Sequence, residues 1–442
     1  MRLLKLSLIP LLAVLVLLVV TPWIIGQNIR ANLLNNITSL FPAEAGQQLQ
    51  FREEDFASGW FSSSATIIAE YNPLGLEEPL VLELDFAINH GPLLMTPEGV
   101  NLGLAQARIE PRIEDSELNE ELNETLSELP FPAPEIYFDL LVYFDQSLLL
   151  NLQIDPINYN GTDGTLAFAG LTASLHSQAD LSADFTLNMG AFSAYNPAGD
   201  MGFTINGISL SSHSDQLNDV MAPANANLLA DQISSAGPFP FSIASVETDS
   251  VLRQSAEDAS AIDIAQSLTL NDIVMELPVT YLQFDSQINE ISRSLIQGYY
   301  DLAEQMQADI NAGGTMSMDS SALGEDIALI FLRNRLVTHN ELNTSAFAGD
   351  HNAELHVTWT GVPDLADFAS LAPAAVVNAL EMSLTIDLDL DAVMRSPAAQ
   401  MVDTYAQQGF IRIENGRILL QASLADGEFN LNGDILPLNQ FL

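Results

Sequence analysis

The chain has 442 residues, enough to bury one large core or two. Its 58 acidic side chains against 13 basic ones give a net charge of -45. That surface repels phosphate and excludes nucleic-acid binding, which draws its affinity from Lys and Arg. There is no cysteine, so disulfides, thiolate metal sites, a cysteine nucleophile and a lipidated N-terminal cysteine are excluded.

In chain order, Arg2 and Lys5 precede an apolar run from Leu6 to Ile25. Twenty helical residues at about 1.5 Å each span about 30 Å, the thickness of a hydrocarbon core. Trp23 sits where aromatic side chains favour the membrane interface. A cleaved signal peptide needs a small-residue pattern, and Thr21-Pro22-Trp23-Ile24-Ile25-Gly26 has none. The expectation is an uncleaved, single-pass anchor at 6–26 after a cytoplasmic stub at 1–5. The bulk of the chain is then exported to the periplasm of a bacterium, tethered to its inner membrane.

Strand signals dominate the rest. Leu80, Leu82, Leu84, Phe86 and Ile88 alternate with polar or small residues, and so do Leu181 to Met189 and Leu384 to Leu390. A period of two puts each apolar set on one face, the pattern of an antiparallel sheet with one wet side. Asn160 to Gly164 and Ala425-Asp426-Gly427 read as hairpin turns. An acidic stretch, Glu114 to Glu128, reads as a helical surface excursion ending in Pro130-Phe131-Pro132-Ala133-Pro134.

Phe284, Ile288, Ile291, Leu295, Tyr299, Leu302, Met306 and Ile310 step by threes and fours. This spacing predicts a long amphipathic helix over Tyr281–Ile310, packed on the sheet. Shorter helices are expected over Ser320–Val337, Leu365–Met382 and Ala392–Gln408. The fold class expected is α+β and predominantly β: a large curved antiparallel sheet, with the helices gathered in the C-terminal half. A boundary near 280 separates a β-rich region, 27–280, from a mixed region, 281–442.

His339, His351 and His356 lie close in sequence to Glu341, Asp350 and Glu354, but the spacing matches no metal signature. On a strand, His351 and His356 fall on opposite faces. No metal and no cofactor is therefore assigned. No phosphate loop, zinc-protease motif, nucleophile elbow or dinucleotide fingerprint is present.

Three motifs carry a resemblance. Phe56-Ala57-Ser58-Gly59-Trp60-Phe61 precedes one strand, and Ile88-Asn89-His90-Gly91-Pro92-Leu93 ends the next. Gly409-Phe410 and Asn415-Gly416 lead to Gly427-Glu428-Phe429-Asn430-Leu431-Asn432-Gly433. With the anchor, this ordered set resembles the YdgA family, inner-membrane-anchored exported bacterial proteins of unknown function. The resemblance implies no catalytic residue. It singles out Gly59, Trp60, His90, Gly91, Pro92, Asn432 and Gly433 as shared structural or ligand-contacting positions.

The leading expectation is a non-enzymatic envelope protein holding lipid or another apolar ligand on its sheet. One alternative is a scaffold or assembly factor that acts by protein contacts, as a homodimer. A third is a hydrolase of envelope polymers working through two carboxylates. The acidity predicts salt adaptation, because the screening length shrinks to roughly 3 Å at 1 M. Thermal stability is expected to rise between about 10 mM and 1 M salt, and a flat midpoint would remove that reading.

Overall fold

A computed structural model describes residues 2–41, 49–71, 80–96, 99–113, 134–256, 258–298, 300, 328–362, 365 and 370–436. The elements begin with α1 (Arg2–Thr38), β1 (Leu49–Ser58), β2 (Ser62–Tyr71), β3 (Leu80–His90), β4 (Leu93–Thr96), β5 (Gly99–Leu102), β6 (Ala105–Ile113), β7 (Ile136–Val142) and β8 (Leu148–Ile154). Next come β9 (Ile157–Gly161), β10 (Gly164–Phe168), β11 (Leu171–Ser177), β12 (Ala183–Met189), β13 (Phe192–Tyr195), β14 (Gly202–Ser214), β15 (Ala224–Ala236), β16 (Phe241–Gln254), β17 (Ala261–Asn271) and β18 (Val279–Ser292). The chain closes with β19 (Leu336–Ala346), β20 (Gly349–Trp359), α2 (Pro373–Ala379), β21 (Leu380–Asp389), α3 (Leu390–Arg395), α4 (Ala399–Gln407), β22 (Arg412–Glu414), β23 (Arg417–Ala425), β24 (Glu428–Leu431) and β25 (Asp434–Leu436).

The fold is predominantly β and antiparallel, with few helices. It divides into two compact units, the first holding residues 1–161, 167–190 and 211–220. In this unit the strands pair in the order β1-β2-β3-β6-β7-β8-β11-β12. One face carries Ala65, Ile67, Phe86, Ile88, Ala105, Ala107 and Ile109 as a buried core. Ile29, Leu33, Leu34 and Ile37 of α1 pack on that face. Each is half-buried, so each contributes about 1 kcal/mol or a little more. An exposed ion pair is worth about 0–1 kcal/mol, so the apolar seam, not charge, holds the helix. The side chains of α1 are described from Val20 onward, and among the described residues no helix is long and apolar enough to cross a membrane.

The second unit pairs β15-β16-β17-β18-β19-β20-β21-β23-β24-β25 in that order, with β22 also on β23. Its two faces differ in chemistry. Asp249, Ser267, Asp285, Glu341, Glu354 and Thr385 stand opposite one another on one face. Leu268, Phe284, Leu342, Ala353, Ile386 and Leu420 form the matching row on the other.

The expected long helix is corrected here. Residues from Val279 to Ser292 form β18, a short helical stretch covers 293–298, and residues 301–327 lie outside the described residues. The error has an identifiable cause. Leu282, Phe284 and Ile288 already obey a period of two. The step of three from Ile288 to Ile291 is a β-bulge: Ile288 pairs with Ile264 and Ile291 with Ile262, so two residues oppose the single Asp263. Glu290 takes a positive φ of 61° there. One inserted residue thus imitates the spacing of a helix.

Other expectations fared better. The three alternating runs are β3, β12 and β21, although β12 begins only at Ala183 after a turn at Leu181 and β21 ends at Asp389, Leu390 opening α3. Both hairpin turns are present, between β9 and β10 and between β23 and β24, where Asp426 and Gly427 take φ of 51° and 76°. The helix over Ala392–Gln408 is two helices, α3 and α4. Over Leu365–Met382 the α-helical part among the described residues is α2, before β21 starts, and over Ser320–Val337 the described helical part is 328–333. The acidic stretch Glu114 to Glu128 lies outside the described residues. Ile67 is fully buried at the centre of the first core. Ile67→Ala is expected to lower unfolding stability by about 2–5 kcal/mol in urea titration.

Candidate functional site

The motif residues of the first unit converge where α1 meets the sheet. The β1–β2 turn is closed by the Gly59 N–H donating to the Ser62 carbonyl at 2.8 Å. The His90 N–H donates to the Phe61 carbonyl at 2.8 Å, which ties that turn to the end of β3. Period two then places the His90 side chain on the same face as Phe86 and Ile88, under α1. The ring is 4% exposed, and its Nε2 lies 2.9 Å from the Ser63 hydroxyl. Nδ1 finds no hydrogen-bond partner of good geometry.

The helix crosses directly over this ring. A Cβ on Gly26 would stand 2.4 Å from His90 Cε1, so only glycine allows the approach. One turn back, Trp23 meets Trp60, with ring centroids 6.2 Å apart. Gly91 is equally constrained, since a Cβ would collide with the Gly103 carbonyl. Its N–H donates to the Leu104 carbonyl at 2.7 Å, and the Gly91–Pro92 peptide is cis. Gly59, Trp60, His90, Gly91 and Pro92 therefore build one joint with Pro22, Trp23 and Gly26.

Sequence reasoning placed the anchor's end at Gly26 and missed the second half of α1. The signal was there: Ile25, Ile29, Leu33 and Ile37 recur every fourth residue. The His90 imidazole bonds a serine hydroxyl and packs on the helix.

In the second unit, Asn432 and Gly433 form the turn between β24 and β25, with φ of 55° and 97°. The Asn432 side-chain amide donates to the Gly409 and Phe410 carbonyls at 2.9 and 3.0 Å. Its Oδ1 accepts from the Gln421 N–H at 2.9 Å. The last family motif is thus a knot of backbone bonds, with a structural role.

His339 and His356 are direct cross-strand partners, and their rings stack at 3.8 Å. Glu354 Oε1 lies 3.0 Å from one Nε2 and 2.9 Å from the other. These three side chains could meet at a metal ion. Both Nε2 atoms point at the same carboxylate oxygen, and one ligand atom from each of the three residues lies within 4.8 Å of the others. His351 is not part of the group, and its Nε2 bonds the Ala346 carbonyl. The hydrogen bond from His356 holds Glu354 below the usual carboxylate range. Serine hydrogen bonds do the same for Asp145, Asp180 and Asp258. An acid catalyst needs the opposite direction. A cleft of about 380 Å³ in the first unit is lined by Gln106, Arg108, Tyr137, Asp139, Asn151 and Asn188 among others.

The model of a bacterial protein family of unknown function, DUF945, matches residues 4–439. The chain belongs to this family. Neither the curated proteins nor the solved structures include a match to it.

Burial holds the His90 imidazole below its ordinary pKa, partly opposed by backbone groups of Trp60 and Pro22. The unfolded chain therefore binds this proton more readily. The contribution to stability is full above a pH of about 6.5 and is lost as pH falls toward the folded value. His90→Gln keeps a polar group beside Ser63 but cannot titrate. Its thermal midpoint is expected to fall less than the parent's between about pH 7 and pH 5.5; an equal fall would assign the effect to other groups. Gly26→Leu should destabilise the joint by about 1–3 kcal/mol and alter the Trp23–Trp60 fluorescence.

Proposed function

We propose that this DUF945 protein is a non-enzymatic envelope protein, anchored in the bacterial inner membrane by Leu6–Ile25, that holds acyl chains or a similar apolar ligand in the periplasm. The anchor reading draws on the predominantly apolar run behind Arg2 and Lys5 and on the helical backbone from Arg2. The ligand reading rests on one observation. The apolar row of the second unit is left open among the described residues: Phe284 is 39% exposed and Leu342 36%, and Leu268, Ala353, Ile386 and Leu420 are only half-buried.

An antiparallel sheet normally buries its apolar face and wets its polar one. Here the acidic face is wet, and the apolar face is not closed by any described helix to the depth seen in the first unit. Contiguous exposed apolar surface of this kind marks a binding face. Acyl chains suit it because they need area and no polar partner.

Native mass spectrometry of the full chain in mild detergent tests this. Lipid is expected to remain bound, and Phe284→Asp with Leu342→Asp should lower its occupancy about tenfold, since buried charge costs more than one decade. Both positions are already partly exposed, so folding should survive. Equal lipid on parent and variant would rule out this face. A lipid-free dimer would instead favour the reading in which a second copy covers it.

A further inference from the structure

The hairpin of β4 and β5 is built inside out. Leu93 pairs with Leu102 and Met95 with Val100, so these four side chains share one face of the ribbon. They are 53%, 63%, 76% and 63% exposed in the order Leu93, Leu102, Met95, Val100. The opposite face carries Leu94, which is buried, together with Thr96 and Asn101, which hydrogen-bond each other at 2.8 Å. Thr96 and Asn101 line the cleft of the first unit. A hairpin on a water-soluble surface turns its apolar side inward. This one turns it outward and is pinned by Leu94.

Its position says what covers that side. The hairpin grows from Gly91-Pro92 and returns through Gly103, so its base is the joint with α1. Trp60 and Phe61 are exposed beside it, and so are Trp23 and Ile24 on the helix. The apolar run of α1 ends at this place. From Phe86 to Ala107 the only side chain with a full charge is Glu98. Four residues per strand reach about 13 Å, enough to cover the roughly 5–10 Å over which interfacial segments bury their apolar side.

We infer that the β4–β5 hairpin, with Trp60 and Phe61, is a second membrane contact that lies in the periplasmic leaflet beside the anchor. The inference rests on the anchor reading above. The contact is driven by apolar burial, since a chain of charge -45 with no basic residue in this segment gains nothing from anionic headgroups. It should therefore form equally on zwitterionic lipid and withstand high salt.

The absence of cysteine permits a direct test on the full chain. Single-cysteine variants Leu15→Cys, Met95→Cys, Val100→Cys and Ala256→Cys are spin-labelled and placed in phosphatidylcholine nanodiscs. Collisions with oxygen report lipid, and collisions with a nickel chelate report water. Leu15 reports the anchor and Ala256, which is exposed in the second unit, reports water. Met95 and Val100 are expected to show an oxygen-to-nickel ratio about tenfold above Ala256, in low and high salt alike. Ratios at Met95 and Val100 equal to that of Ala256, with Leu15 in lipid, would overturn the inference and leave the anchor standing. Leu15 in water would overturn both. Because a label could disturb the hairpin, Trp23→Phe with Trp359→Phe leaves Trp60 as the sole tryptophan, and brominated lipid is expected to quench it. No quenching of Trp60 would count against the contact in the same way.

Discussion

A sheet has two faces, and a chain with few helices has little with which to cover them. That constraint shapes this protein. Burying an apolar face is the main favourable term available to a β structure, at about 25 cal/mol per Å². In the first unit the constraint is met by α1, whose Ile29, Leu33, Leu34 and Ile37 lie on the core of β2, β3 and β6. In the second unit the described helices are short, and the row through Phe284 and Leu342 stays open. The same chemistry makes a closed core in one unit and, among the described residues, a partly exposed row in the other.

The opposite face answers to charge. Asp285, Glu341 and Glu354 are neighbours across three strands, an unfavourable arrangement for bare carboxylates. Each is supplied with donors: Gln283 for Asp285, Asn343 and Asn352 for Glu341, and two histidines for Glu354. The few arginines are placed across strands, as Arg108 is to Asp139 and Arg417 to Asp387. Neutral amides do much of the work that cations do elsewhere.

What the sequence disclosed follows from the range of each signal. Period-two alternation and turn residues act within a few positions, so β3, β21 and the Asp426-Gly427 turn were readable. The bulge at Glu290 also acts locally, but its effect on spacing is that of a helix, and only pairing with β17 tells them apart. The joint was out of reach for a different reason. His90 meets Gly26 across 63 intervening positions, and no local pattern encodes that contact. The motif set Gly59-Trp60 and His90-Gly91-Pro92 pointed at the right residues without saying that they meet each other. The pairing of His339 with His356 likewise depends on a register that only the folded sheet supplies.

One consequence follows from α1 itself. The helix runs unbroken from Arg2 to Thr38, and Gly26 is clamped on His90 partway along it. A flexible tether of Gly and Ser would let the sheet sweep a hemisphere above its point of attachment. A continuous helix restricts the pose of the sheet far more. Under the proposed anchoring, a bilayer that thins or thickens would tilt the helix and carry the whole first unit with it. The protein would then respond to the mechanical state of its membrane as well as being held there.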